Sequence, residues 1–223
     1  MPQSHVEYHV MTIGLLGGTF DPVHNGHLRL AIECREQLSL RQVRLLPVFS
    51  PPHRAAPVAA PGQRLEMVRL AVAGTPGLAA DDAEIGRGGT SFTIDTLRGA
   101  RSQLGNDPLA LIMGADAFAG LANWREWTGL FDLAHIIVVD RPGSAGKEPA
   151  EEVKEIVSKR QIRRATQLHQ APAGSLYRAT LPLLDIASSD IRARCLEGRS
   201  IRGLVPDAVH DYIDRQSLYR GPA

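Results

Sequence analysis

The chain reads as an α/β protein: a doubly wound, mostly parallel Rossmann-like sheet with helices on both faces, followed by a small C-terminal helical subdomain. Three observations predict this. Short apolar, strand-like runs alternate with segments of helical period, as in successive βαβ units. Residues 108–113 and 135–139 are nearly unbroken in apolar side chains, as expected of parallel strands covered on both faces. The first strand runs directly into Gly17-Gly18 and then into a helix. The 223 residues suffice for one domain, divided into a Rossmann-like core over residues 11–186 and a helical subdomain over residues 187–223.

Residues 13–16 form the first strand, and residues 26–38 a helix with Leu28, Leu30, Ala31, Cys34 and Leu38 at its apolar positions. Residues 43–49 form a second strand, closed by Pro51-Pro52, which cannot continue a central ladder. Residues 51–62, with four prolines and four alanines, form a loop of the length that often carries function. A helix over 64–73 and a strand over 79–85 follow, then a turn at Gly86-Arg87-Gly88-Gly89. Residues 92–104 return to helical period through Ile94, Leu97 and Ala100, ahead of the apolar strand 108–113. Short helices over 115–121 and 126–131 precede the strand 135–139, and residues 142–146 read as a turn or linker. Residues 148–164 form a charged helix whose Lys154, Lys159, Arg160, Arg163 and Arg164 suit a solvated face. A last strand is expected over 181–186, with helices over 189–197 and 206–215.

Composition narrows the function classes. Hydrophobic residues at 43% and charged residues at 22% are ordinary for a globular protein. A net charge of +1 argues against a general nucleic-acid or membrane-surface binder, while leaving room for a local anion pocket. Cys34 and Cys195 make neither a disulfide framework nor a zinc site. No apolar run approaches the ~20 residues that span a bilayer, and residues 1–10 carry no signal-peptide core, so a cytoplasmic location is the expectation. No P-loop and no G-x-G-x-x-G occurs, which removes the commonest kinase, GTPase and dehydrogenase readings.

The segment Gly17-Gly18-Thr19-Phe20-Asp21-Pro22-Val23-His24-Asn25-Gly26-His27 carries the chemistry. Glycines remove the Cβ atoms that would keep a backbone off a phosphate. A helix starting near Asn25 aims amide N–H groups and its positive dipole end at the same place. His24 and His27, three residues apart, share a face there and suit the negative charge that builds during phosphoryl transfer. This is a site for a nucleoside triphosphate.

The motif resembles the signature of the nucleotidyltransferase superfamily, which shares its phosphate loop, loosely, with class I tRNA synthetases. The longer form with Phe20-Asp21-Pro22 is similar to bacterial nicotinate-nucleotide adenylyltransferases, and the likeness runs from Leu16 to the terminal Leu218-Tyr219-Arg220. It implies adenylyl transfer from ATP to nicotinate mononucleotide, with magnesium held chiefly by phosphate oxygens and no metal site built from protein ligands. His24, His27 and Arg192 would be catalytic, with Gly17, Gly18, Thr19 and Phe20 around the ATP phosphates.

Other motifs follow the strands, where parallel sheets bind ligands. His53 and Arg54, two cations on a rigid proline pair, suit the mononucleotide phosphate. In Gly114-Ala115-Asp116 the carboxylate suits a ribose hydroxyl of ATP or a metal-bound phosphate, or equally a helix N-cap, and the resemblance of this G-x-D pattern to the family's favours the ligand. The resemblance places nicotinate against Trp124, with Thr93 and the backbone of Arg125 at its carboxylate; relatives often have an aromatic residue where Arg125 stands. Trp127 suits core packing better. Ser188 and Ser189, in a motif where Ala187 replaces a serine, make an anion site with Arg192 as a positive fork for the β- and γ-phosphates. Arg141, in Asp140-Arg141-Pro142-Gly143, is implied near the adenine. A homo-oligomer stays open, and no nucleic-acid or membrane partner is expected. Pantetheine-phosphate adenylyltransferases and cytidylyltransferases are the nearest alternatives, and a non-catalytic nucleotide sensor is the alternative from another class.

Overall fold

In the computed structural model, which describes residues 11–52, 56–140 and 148–220, six strands form one sheet in the order β3-β2-β1-β4-β5-β6. They are β1 (Ile13–Gly18), β2 (Gln42–Pro47), β3 (Leu78–Ala80), β4 (Leu109–Gly114), β5 (His135–Asp140) and β6 (Leu176–Thr180). Every ladder is parallel. The chain winds outward from β1 through β2 to β3, crosses back to β4, and winds the other way to β6. The reversal lies between β1 and β4, where Leu16 pairs with Ile112 and the two carboxyl ends diverge.

The sheet is covered on both faces, and strand alternation sorts side chains between them. Leu16, Ala110, Ile112, Ile137 and Val139 face a layer built with α1 (Asn25–Gln37), α2 (Pro61–Val72), α8 (Ser188–Leu196) and α9 (Asp207–Arg215). Ile13, Leu15, Leu109, Leu111, Met113, Ile136 and Val138 face the other layer, whose helices include α4 (Thr93–Leu104) and α7 (Glu151–Arg160). Ile191, Val209, Ile213 and Tyr219 of the C-terminal helices and tail pack into the same cluster as the first face of the sheet.

Several boundaries differ from expectation. The strand expected over 79–85 ends at Ala80, and residues 83–87 form the short helix α3. Here Asp81 accepts the Ala83 amide at 3.0 Å, an aspartate-led start that ends the ladder. The last strand is Leu176–Thr180 and not 181–186. Pro182 in the latter run has no ladder donor, whereas the true edge strand alternates weakly and exposes Arg178 and Thr180. The charged helix covers Glu151–Arg160 only, because the chain leaves it to pair along β6, with the Ile162 amide donating to the Leu176 carbonyl at 2.8 Å. Its cations are matched locally: Lys154 with Glu148 and Glu151, Lys159 with Glu155, and Arg160 with Asp132. Between α5 (Ala115–Ala119) and β5 the expected helix over 126–131 is a 3₁₀ turn, Trp127–Gly129, followed by α6 (Leu130–Leu133). The turn expected over 142–146 lies outside the described residues. Cys34 is buried and Cys195 half-buried, both with free thiols.

His135, at the start of β5, is fully buried. Its Nδ1 accepts the Ser175 amide at 3.1 Å, so its Nε2–H donates to the Ala171 carbonyl at 2.8 Å. Burial, then Arg101 and His169 nearby, hold its pKa below the ordinary value against the backbone bonds that raise it. The folded chain therefore stays neutral at this ring while the unfolded chain takes up a proton as pH falls below about 6.5. Stability is expected to decline on acidification through that range, by up to about 1.4 kcal/mol per pH unit, until the depressed folded pKa is reached. Thermal melting of the wild type and His135→Asn between neutral and mildly acidic pH checks this, with a flatter profile expected in the variant.

Candidate active site

The turn after β1 is built around two aromatic systems. A Cβ on Gly17 would meet nothing within 4 Å, so the backbone there faces open space. A Cβ on Gly18 would lie 2.9 Å from the Phe20 ring, which is buried beneath it. Phe20 itself sits at φ +49°, a left-handed conformation unusual for a bulky residue, held where its ring packs edge-on to His27 at 4.9 Å.

His24 is the N-cap of α1, with extended φ −146° and ψ 170°. Its Nδ1 accepts the His27 amide at 3.3 Å, and His27 Nδ1 accepts the His24 amide at 3.3 Å, a capping box made from two imidazoles. The rings stack with centroids 3.6 Å apart. Because each Nδ1 is an acceptor, each ring carries its proton on Nε2, so the cap itself selects the tautomer. His27 is pushed well below the ordinary histidine pKa, by burial first and by His24 second, and is neutral at physiological pH. The helix amides are less open than expected: Asn25 N–H donates to the Leu204 carbonyl at 2.9 Å, and His27 N–H is used in the cap. The His27 imidazole, more than the amides, offers a donor here.

Arg192 and Ser188, on α8, converge on the same loop. Arg192 Nη1 donates to the Asp21 carbonyl at 2.7 Å, and Ser188 Oγ donates to the Pro22 carbonyl at 3.0 Å. Ser188 thus spends its hydroxyl proton on the loop, and Ser189 is exposed. Asp21 precedes Pro22 through a cis peptide bond, and its buried carboxylate accepts the amides of Val58 and Ala59 at 2.8 and 3.0 Å.

A group the sequence reading missed lies beneath. Arg64, at the start of α2, is fully buried. It donates to the carbonyls of Ala59, Thr19 and Phe49 at 3.2, 2.8 and 3.0 Å. Burial lowers its pKa, while Asp21 and Tyr219 work in the opposite direction. The available signal was its place on the apolar stripe of α2 with Val68, Ala71 and Val72.

The remaining wall is reached through the tail of β2. Val48 N–H donates to the Gly18 carbonyl at 3.0 Å, Phe49 N–H to Ser91 Oγ at 2.9 Å, and Ser91 N–H to the Ser50 carbonyl at 2.9 Å. These bonds connect the glycine turn to the start of α4 and so to Thr93. Arg125 lies with its guanidinium 4.8 Å from the Phe92 ring centroid and 3.8 Å from Asp95. Trp124 and Trp127 are both partly buried against the same cluster, so core packing does not single out Trp127. Gly114 is the exposed N-cap of α5, which removes the capping reading of Asp116; that side chain is exposed in the first turn. His53, Arg54 and Arg141 lie outside the described residues. Clefts of about 490 and 310 Å³, beside α9 and beside α4, include none of the predicted site residues. Among the described residues no three His, Cys, Asp or Glu side chains converge as a metal cage, and no helix is long and apolar enough to cross a membrane.

Comparison with known proteins places this arrangement. Residues 15–194 match the family described as cytidylyltransferase-like. A protein of Methylococcus capsulatus named as a probable nicotinate-nucleotide adenylyltransferase is 50% identical over 208 residues, covering 93% of this chain and 99% of its own. One from Marinobacter nauticus with the same name is 48% identical, covering 92% and 95%. A solved structure of the Plasmodium falciparum nicotinic acid mononucleotide adenylyltransferase, complexed with NaAD, shares the fold with a TM-score of 0.69 over 94% of this chain and 97% of that one, at 16% identity. The parallel sheet with its switch point at β1 and β4, the imidazole-capped helix after the glycine turn, and relatives near half identity over almost the full length agree: this chain belongs to the nicotinate-nucleotide adenylyltransferases of the cytidylyltransferase-like family.

Proposed function

We propose that the chain transfers AMP from ATP to nicotinate mononucleotide, releasing pyrophosphate and forming nicotinate adenine dinucleotide on the route to NAD. The observation that carries this reading is the pair of Nδ1-anchored imidazoles at the head of α1, fixed as Nε2–H donors within the loop that Arg192 also grips.

A phosphate oxygen of the mononucleotide attacks the α-phosphorus of ATP, and the bond to the bridging oxygen of the β-phosphate breaks. The acceptor phosphate is already a competent nucleophile, so the protein's work is alignment and charge stabilisation. His24 and His27 donate through Nε2–H to the α-phosphoryl oxygens as charge develops. Arg192 offers its remaining donors to the β- and γ-phosphates and so to departing pyrophosphate. Gly17 and Gly18 let the backbone of the Thr19–Phe20 turn approach the triphosphate, and the start of α8 with Ser188 and Ser189 adds an anion site. Gly114 leaves room beside Asp116 for the ribose hydroxyls, and the family resemblance assigns Arg141 to the adenine. His53 and Arg54 bind the mononucleotide phosphate; Trp124 stacks on the nicotinate ring, whose carboxylate meets Thr93 and the backbone of Arg125. ATP is taken as its magnesium complex, a hard cation bound mainly by phosphate oxygens and water. We place the protein in the cytoplasm, where ATP and the mononucleotide are found.

The test is pyrophosphate release measured side by side with nicotinate mononucleotide, its amide counterpart and phosphopantetheine. The acid is expected to turn over fastest. Activity with phosphopantetheine alone, or tight ATP binding with no release on any acceptor, overturns the reading.

A further inference from the structure

Nothing in the transfer step calls directly on the end of the chain, yet Tyr219 reaches the heart of the site. It is 8% exposed and held at φ +62° just beyond α9. Its hydroxyl donates to Asp21 Oδ1 at 2.8 Å across 198 residues of sequence. With the Val58 and Ala59 amides, this gives the buried Asp21 carboxylate three donors. The peptide of the same residue anchors the guanidinium of Arg192: Nη1 lies 2.7 Å from the Asp21 carbonyl oxygen and 3.8 Å from Oδ2. The Arg192 side chain keeps 33% of its surface exposed, so it is tethered at one end and open at the other.

We propose that Tyr219 is a positioning residue for Arg192, acting through Asp21, so that the tail of the chain aims the phosphate-binding guanidinium. The physical reason is competition for one carboxylate. With two amides and a phenol on three of its four lone-pair sites, the Asp21 carboxylate is held 3.8 Å from Arg192 Nη1 and has little reason to rotate closer, so the cation stays available to phosphate. Without the phenol, Oδ1 loses a donor in a buried site, and a closed Asp21–Arg192 ion pair is the nearest compensation. Burial and the Asp21 charge push the phenol's pKa upward, so it remains a donor across the working pH range. The proposal rests on the reading of Arg192 given above.

The experiment is a double-mutant cycle on pyrophosphate release with Tyr219→Phe, Arg192→Ala and both together, beside Leu218→Ala as a control that trims the same tail without touching the hydroxyl. Tyr219→Phe is expected to lower kcat about tenfold while the KM for nicotinate mononucleotide holds. In the Arg192→Ala background the same change is expected to alter kcat by less than about twofold. Leu218→Ala should keep the wild-type rate. A wild-type kcat for Tyr219→Phe, a tenfold loss repeated in the Arg192→Ala background, or an equal loss in Leu218→Ala each overturns the positioning role while leaving Arg192 in place. A wild-type rate for Arg192→Ala overturns the role of Arg192 itself, and the positioning role with it. Should Tyr219→Phe not fold, Asp21→Asn replaces it in the cycle, since it keeps an acceptor for Tyr219 but turns an amide NH2 toward the Val58 N–H and so loosens the peptide whose carbonyl anchors Arg192. Its effect must likewise vanish without Arg192, and an additive loss overturns the proposal.

Discussion

His27→Ala is expected to reduce turnover by a hundredfold or more, about 3 kcal/mol of transition-state stabilisation, while the protein stays folded. The size follows from preorganisation. The His27 ring is held by the His24 amide on Nδ1, by stacking on His24 at 3.6 Å and by the edge contact to Phe20, so its Nε2–H needs no rearrangement to meet a developing oxyanion. Removing it leaves the His24 amide without its cap partner at a partly exposed helix start, where water can take its place, so the fold should survive. Because burial and His24 hold its pKa well down, His27 stays neutral through the mildly acidic range. An NMR titration of the free protein should therefore show this ring taking up its proton well below the ordinary histidine range. Steady-state kinetics of the purified variant, with a melting curve to confirm folding, check the first expectation. A wild-type rate removes His27 from catalysis.

Arg64→Ala is expected to destabilise the fold by about 3–5 kcal/mol, the largest stability effect anticipated in the site region. Truncation strands the carbonyls of Thr19, Phe49 and Ala59, which join the glycine turn, the tail of β2 and the start of α2. It also removes the buried positive charge that faces the Asp21 carboxylate. Arg64→Lys should recover only part of the loss, since an ammonium cannot span three carbonyls in the plane of a guanidinium. Urea unfolding monitored by circular dichroism checks both variants. A loss below about 1 kcal/mol for Arg64→Ala would mean that water replaces the guanidinium at no great penalty.

The central strands were legible because a parallel strand covered on both faces must be apolar along its buried length, as β4 and the Ile136–Val139 run of β5 are. The edges were not. β3 and β6 pair on one side only, so neither needs an unbroken apolar run, and an apolar segment containing Pro182 outside the ladder imitated a strand better than β6 did. The family and its glycine–imidazole turn were readable for a related reason. Gly17, Gly18, His24 and His27 lie within one strand–turn–helix unit, where local geometry alone dictates which residue types can serve.

What lay beyond reading along the chain was everything that depends on distant segments meeting. The glycine–imidazole turn and the alternating, doubly wound layering are written in neighbouring residues, since strand alternation and helix capping act over a few positions. The support of that turn is not local. Asp21 finds Val58 and Tyr219 at separations of 37 and 198 residues, and Arg64 finds Thr19 at 45. A buried charge is tolerable only where folding delivers its partners from separate parts of the chain, so its identity as a support emerges once those parts have packed.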